Sequence, residues 1–159
     1  MKKLVLLLLF IGTSFYADAQ SKSVEALYSK YIKNKDFFHM NFGGNFLGVA
    51  NSMNLNFGDI AAITKAVERV KLFKLPVGGE IAKADFKNLE KGLNRENFEL
   101  MMEASEKNNG FIMYSKGGKR ISDIVLLISN NEDEDYMVIA LEGEFEAEAL
   151  ADAGRKGRE

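Results

Sequence analysis

The stretch at residues 110–129, GFIMYSKGGKRISDIVLLIS, holds two apolar runs separated by Gly117-Gly118. Both runs are rich in β-branched and aromatic residues, which favours strands, and paired glycines tolerate the positive φ angles of tight hairpin turns. The second run is apolar without interruption from Ile124 to Ile128. Such a run is typical of a strand that is covered on both faces or lies centrally in a sheet. The stretch therefore predicts a β-hairpin in the interior of a sheet.

Similar apolar runs lie on either side of this stretch, at about residues 98–105 and 136–142. The first is separated from it by an Asn-Asn-Gly sequence at residues 108–110, and the second by the acidic run NNEDED at residues 130–135. Short apolar runs joined by such turn residues are the strongest local signal for hairpins. The C-terminal half therefore predicts a four-stranded antiparallel meander.

In the N-terminal half, apolar residues recur mainly at the spacing of a helix. Ser23 is placed to cap a first helix, Asp59 a short one, and a strand is expected to stop before Pro76. Helices gathered in one half and hairpins in the other predict an α+β domain with one or two N-terminal strands and helices packed mainly on one face of the sheet. The segments are helices at residues 24–35, 46–53, 60–63, 82–94 and 145–153, strands at 37–42 and 67–75, and a frayed tail at 155–159.

The first 19 residues have the form of a signal peptide. Lys2 and Lys3 precede an apolar run, and the small-residue cleavage pattern Ala17-Asp18-Ala19 follows. The 13 mainly apolar residues at 4–16 are too few for the roughly 20 that a membrane-spanning helix needs. We therefore expect export to the periplasm or the medium and no transmembrane segment after cleavage. The chain has no cysteine, so we expect neither a lipid anchor nor a disulfide.

Cleavage before Gln20 leaves 140 of the 159 residues, a common size for one domain, which we place at residues 20–154. Loss of Lys2, Lys3 and Asp18 takes the net charge from −2 to −3. Nucleic-acid binding has little support, because its non-specific affinity comes mainly from basic side chains that neutralise phosphates.

Three segments together resemble a known bacterial family. They are FELMMEAS from Phe98, the opening stretch from Gly110, and VIALEGEF from Val138. They are similar to the family catalogued as domain of unknown function 4252, over most of the mature chain. The resemblance implies a small exported protein of the cell envelope in double-membrane bacteria. It supplies no catalytic motif. Some relatives look like lipoproteins, and this chain departs from them because it lacks a cysteine at the processing site.

No complete set of catalytic or metal-binding residues is visible in the sequence. His39 is the only histidine, and with no cysteine the usual soft-metal sites are absent. There is no G-x-S-x-G elbow, P-loop or G-x-G-x-x-G turn. We therefore predict no catalytic residue, no cofactor and no metal, and we interpret His39 as a strand histidine used for packing or hydrogen bonding rather than as a general base.

Three weaker signals have competing explanations. The run from Asn130 to Asp135 lacks the alternation and central glycine of a calcium loop, so a hydrated turn is favoured over a cation site. A solvated face is favoured over glycosidase-like chemistry for the carboxylates of Glu142, Glu144 and Glu146. Core filling is favoured over an exposed binding patch for a set of apolar side chains in the meander. They are Met101, Met102, Phe111, Met113 and Met137.

Three hypotheses of function follow. The first is a non-enzymatic module that binds a protein, lipid or glycan of the cell envelope through one sheet face or the groove between helices and sheet. The second is a small hydrolase that uses His39 or a carboxylate pair. The third is a structural or assembly subunit that joins like chains through an exposed strand edge. The sequence leaves the oligomeric state open.

Overall fold

The computed structural model of the chain describes residues 20–43, 66–76, 78–130, 132–148 and 150. The predicted signal peptide, the predicted helices at residues 46–53 and 60–63, and the tail at 155–159 lie outside these residues. The described elements are two helices and six strands. In chain order they are α1 (Lys22–Tyr31), β1 (Phe38–Gly43), β2 (Val67–Lys74), α2 (Gly79–Arg95), β3 (Glu99–Glu106), β4 (Asn109–Gly117), β5 (Arg120–Asn130) and β6 (Asp135–Glu146).

All six strands form one antiparallel sheet in the order β1-β2-β6-β5-β4-β3. The predicted α+β class and the C-terminal meander are confirmed, and both N-terminal strands join the sheet. The last strand, β6, lies in the middle, between β2 and β5. No helix in the described ranges is long and apolar enough to cross a membrane.

Strand alternation sends every second side chain toward the helices. Along β6, Tyr136, Val138 and Ala140 face the layer formed by α1 and α2, and all three are buried. This layer forms the main core, so the prediction of helices on one face holds for α1 and α2. The core members from the helices and their flanking segments are Val24, Leu27, Tyr31, Phe37, Leu75, Ala82, Phe86, Leu89, Leu93 and Phe98.

The other face of the sheet holds a second apolar cluster. Ile121, Ile124 and Phe145 are buried there, and Met113 and Ile139 are half-buried. Because β5 contributes Val125 and Leu127 to the main core and Ile124 to this second cluster, it is apolar on both faces, as its uninterrupted run predicted.

Two predictions of where a helix begins are wrong. Ser21, not Ser23, caps α1, and its hydroxyl accepts a hydrogen bond from the Val24 amide. Ser23 lies in the first helical turn and donates both its amide and its hydroxyl hydrogen to Glu96, which follows α2. The predicted closing helix from Phe145 also begins too early, because Phe145 pairs with Ile121 and extends β6 to Glu146.

Glu96 joins the two helices end to end. Its carboxylate accepts hydrogen bonds from the amides of Lys22 and Ser23, which are among the unpaired donors at the start of α1. Burial on its own raises the pKa of Glu96, but the hydrogen bonds from Ser23 and Lys22 outweigh burial and hold that pKa below its usual value. The start of α1 is thus stabilised by a charged group 74 residues away in sequence.

Candidate interaction surface

The sheet ends at β1 on one side and at β3 on the other. Within the described part of the chain, β1 pairs only with β2 and β3 only with β4, so each leaves one row of backbone groups without a strand partner. Such edges are templates for pairing with another chain, and proteins commonly protect them with charges or bulges. The two edge strands, β1 and β3, differ in whether they carry such charges and bulges.

Strand β3 has both kinds of protection. It carries Glu99, Glu103 and Glu106, and its register is interrupted between Leu100 and Met102. The interruption puts Met101 in a bulge, where 42% of it is exposed. Acidic side chains and a bulge both oppose the addition of a further strand. The β3 edge is thus an unfavourable place for pairing.

Strand β1 has neither kind of protection. Its sequence, FHMNFG, contains no charged residue, and its register with β2 is unbroken from Phe38 to Gly43. Phe38 is 52% exposed and Met40 38% exposed, and both lie on the same face of the sheet. Within the described ranges, this edge combines backbone groups that are not paired with a second strand with the exposed apolar side chains of Phe38 and Met40.

The other face of β1 is polar and ordered by hydrogen bonds. Asn41 donates from its Nδ2 to the hydroxyl oxygen of Tyr28 at 3.1 Å, and that hydroxyl lies 3.1 Å from Nδ1 of His39. Since the hydroxyl oxygen accepts from Asn41, its own proton is available for His39. Tyr28 of α1 thereby fixes the orientation of both polar side chains on the helix-facing side of β1.

Aromatic rings support this arrangement from below. Phe37 stacks on the His39 ring at 5.4 Å, and Tyr28 meets His39 edge to face at 5.5 Å. Lys71 forms an ion pair with Glu25 of α1 and lies 4.7 Å above the Tyr28 ring. Burial lowers the pKa of Lys71, against the raising effect of Glu142. His39 of β1 therefore packs against a cluster of aromatic rings.

The predicted use of His39 for packing or hydrogen bonding agrees with these contacts. The ring packs against Phe37 and Tyr28, but the residue is exposed at the sheet edge. Its hydrogen bond within the described residues is to the Tyr28 hydroxyl and not to a carboxylate. Among the described residues, none therefore serves as the orienting acid that a catalytic triad would need beside His39.

A carboxylate pair does exist, at a place the sequence did not indicate. Asp123 of β5 lies directly opposite Glu142 of β6, and their exposed fractions are only 3% and 5%. Arg69 forms an ion pair with Glu142 at 2.8 Å. The interpretation of Glu142 as part of a solvated face is therefore wrong. Glu144 and Glu146 are exposed, as the prediction of a solvated face requires.

Burial raises the pKa of both acids. For Glu142, Asp123 adds to this effect and Arg69 opposes it. For Asp123, the Ser122 hydroxyl, Lys116 and Arg69 oppose it without cancelling it. Because so little of either carboxylate is exposed, a substrate cannot reach the pair without displacing the atoms that cover it.

We expect Asp123→Asn to stabilise the protein at pH 7, because burial raises the pKa of the Asp123 carboxyl and an amide in its place has no charge to bury. A carboxyl whose pKa is raised by folding contributes stability below its unfolded pKa of about 3.9, and this contribution is lost as pH rises through the raised value. Urea denaturation at pH 4 and pH 7 measures the difference. The gain should nearly vanish at pH 4, and Glu144→Gln, at an exposed position on β6, should show little change at either pH. A gain of equal size at both pH values would contradict the electrostatic explanation.

The acidic run at residues 130–135 connects β5 to β6, so its prediction as a hairpin turn is confirmed. The Asn130 side chain organises it, because Oδ1 accepts from the amides of Glu132 and Asp133 and Nδ2 donates to the Asp133 carboxylate. Asp135 forms an ion pair with Lys74 of β2. Nowhere in the described ranges do three or more acidic or histidine side chains gather where they would hold a metal ion.

The methionine-rich set separates into different environments. Met101 is exposed in the β3 bulge, whereas Met102, Phe111, Met113 and Met137 are half-buried on the second face. Their core-filling role is clearest for Met113, which packs against the second cluster.

A shallow cleft of about 340 Å³ lies beside Phe111 and Ile128 at the end of this face. A smaller one, of about 230 Å³, lies between the helices beside Lys30 and Asp85.

The fold of the described residues defines the class: a small α+β protein with a six-stranded antiparallel sheet and two helices on one face. Residues 28–153 match the model of the family described as domain of unknown function DUF4252. The match spans most of the 159 residues, so the chain belongs to this family and the resemblance is confirmed. No curated protein and no solved structure matches the chain.

Proposed function

We propose that this protein is an exported cell-envelope protein, periplasmic or secreted without a lipid anchor, that acts as a non-enzymatic interaction module. Its binding surface is the outer edge of β1, and its ligand is an extended polypeptide strand. The observation that carries the proposal is the contrast between the edges: β1 is uncharged and regular, whereas β3 is acidic and bulged.

Strand addition is the mode of recognition that such an edge supports. Main-chain hydrogen bonds to β1 supply affinity, and the alternating side chains of β1 supply specificity. On one face an incoming strand meets Phe38 and Met40, and on the other it meets His39 and Asn41. The preferred ligand is therefore a strand that alternates apolar and uncharged polar residues.

The edge is a better candidate than the sheet faces. The helix-covered face is filled by the main core, and the central residues of the second face, such as Ile124 and Phe145, are buried. The backbone groups of an edge are matched by another polypeptide backbone, which favours a protein ligand over a lipid or glycan.

The hydrolase hypothesis receives less support from the geometry. The Asp123–Glu142 pair is covered, and His39 is oriented by a tyrosine hydroxyl rather than a carboxylate. A general base needs a positioned nucleophile or water, and an exposed ring at a sheet edge provides no enclosed place for one.

Photocrosslinking tests the binding surface. A benzoylphenylalanine at Phe38 should give specific adducts with protein in envelope extract, whereas the same group at Met101 on the opposite edge should not. The two positions have similar exposed fractions, 52% and 42%, so accessibility is matched. Met40→Lys should abolish the adducts of the Phe38 probe, because an added charge disfavours strand pairing. Ile81→Lys, at a 60% exposed helical position, should leave them intact. Equal adduct yields at both edges would overturn the assignment of β1.

Export has its own test. The protein expressed from its full sequence should be recovered outside the cytoplasm, with Gln20 as its first residue by mass spectrometry. Replacement of Ala17 and Ala19 by bulky residues should block this processing. Recovery of the intact chain from the cytoplasm would refute export without affecting the assignment of the β1 edge.

A further inference from the structure

We propose that the strand that binds β1 is the β1 strand of a second copy of this chain, paired antiparallel about a twofold axis at Met40. The inference rests on the proposed function and names its partner. Twelve strands would then form one continuous sheet, six from each subunit.

Symmetry limits how β1 can pair with itself. In an antiparallel pair, residues directly opposite each other lie on the same face of the sheet, so the twofold axis must pass beside a residue and not between two. For a six-residue strand that runs from Phe38 to Gly43, the central choices are Met40 and Asn41.

Centring on Met40 makes the strand complementary to itself. On the apolar face, Phe38 lies opposite Phe42 of the partner subunit, and the two Met40 side chains face each other. On the polar face, His39 lies opposite Asn41 of the partner subunit. Every apolar side chain thus meets an apolar one and every polar side chain a polar one, which is the pattern that stabilises cross-strand pairs.

Centring on Asn41 is less favourable. His39 would lie opposite Gly43 of the partner subunit, and Phe38 would extend past the end of the partner's strand. The 52% exposed Phe38 ring would then lose the cross-strand contact that the Met40 register supplies. The sequence FHMNFG therefore selects one register.

Charge disfavours the other edge as a dimer interface. Self-pairing of β3 near its centre would bring Glu103 close to its symmetry copy, and like charges in opposed positions are destabilising. Pairing of β1 with β3 of the next copy would be head to tail, and such contacts build open filaments unless they close into a ring. The symmetric β1 contact is closed and leaves β3 at both outer ends.

The first test uses purified mature protein, residues 20–159, at increasing concentration. Sedimentation should show a monomer–dimer equilibrium with no larger species. Met40→Lys should raise the dimer dissociation constant by at least about tenfold, equivalent to 1.4 kcal/mol, because it puts two ammonium groups opposite each other. Met101→Lys, on the opposite edge, should leave the constant unchanged. Circular dichroism confirms that both variants keep their strand content.

The second test determines the register in which the two β1 strands pair. The chain has no cysteine, so Met40→Cys introduces a single thiol, which a short bis-maleimide should join to its symmetry copy. Met101→Cys, the matched control, should give no dimer. A mixture of Phe38→Cys and Phe42→Cys chains should give more crosslinked dimer than either chain alone, because these positions oppose each other. Equal yields from Met101→Cys and Met40→Cys would overturn the proposed interface.

The outcomes separate this inference from the proposed function. If the purified protein stays monomeric while the Phe38 probe still captures protein from envelope extract, the partner is a different strand and only the self-pairing fails. If neither experiment gives a product at β1, both proposals fail. If filaments form, the contact is the head-to-tail pairing of β1 with β3, and the twofold arrangement is wrong.

Discussion

Replacement of Phe73 by alanine is expected to lower the free energy of unfolding by about 3–5 kcal/mol, the usual cost of truncating a buried aromatic residue. Phe73 is 0% exposed in the middle of β2. Its ring lies 5.6 Å from the rings of both Tyr28 and Phe37, and Val138 of β6 is its cross-strand neighbour. The side chain thus joins α1, the segment before β1 and the central strand at one point. Small domains are stabilised by only about 5–15 kcal/mol in total, so this loss is a large fraction.

Urea denaturation measures the effect of Phe73→Ala as a shift of the unfolding midpoint at constant slope. Ile81→Ala is the matched control, because Ile81 is a large apolar residue that is 60% exposed on α2. Its cost should stay within about 0.5 kcal/mol. A loss below about 1 kcal/mol for Phe73→Ala would show that the contacts of α1 with β2 contribute little to stability.

Gly92→Ala is expected to destabilise the protein by about 1–3 kcal/mol, the usual cost of overpacking. In most helices this change is stabilising by roughly 1 kcal/mol, since glycine is a poor helix former. Here a Cβ at position 92 would lie 2.0 Å from the Ser23 hydroxyl oxygen and 2.6 Å from the Ser23 Cβ. Relief of the second contact requires α1 to move away from α2, which would weaken the hydrogen bonds between Ser23 and Glu96.

A double-mutant cycle tests this explanation. Ser23→Gly removes both contacting atoms, so Gly92→Ala should cost less in that background, and the coupling energy reports the steric contact. Gly118→Ala is the control at an open position, since an added Cβ there meets no atom within 4 Å. A stabilising Gly92→Ala would mean that α1 and α2 adjust their separation freely.

Local patterns predicted the strands well because hairpin signals are contained in a few residues. Gly117 adopts a φ of 113°, as the Gly-Gly pair predicted. The turn between β3 and β4 is displaced from the Asn-Gly sequence, however, because Asn109 and Gly110 belong to β4 and Lys107 takes the positive φ of 53°. Turn residues therefore indicated that a hairpin exists more reliably than where it bends.

The candidate surface was harder to predict, because it depends on pairings between distant segments. The sequence FHMNFG reads as a short apolar strand, and nothing local shows that it ends the sheet. Its edge position follows from the pairing of β2 with β6, which joins Phe73 to Val138. The burial of Asp123 and Glu142 likewise depends on the pairing of β5 with β6 and on Arg69 of β2, so the acidic sequence around Glu142 predicted the wrong environment for this residue.

The central position of β6 has a consequence for the order in which the chain is made. Strands β1 and β2 come early in synthesis and β3 to β5 late, and only residues 135–146 join the two groups. The six strands therefore cannot form one sheet until residues 135–146 have been synthesised. Pairings of such long sequence separation also form slowly. For a protein proposed to be exported, this arrangement delays the joining of β2 to β5, and with it the completion of the main core, until β6 has been made.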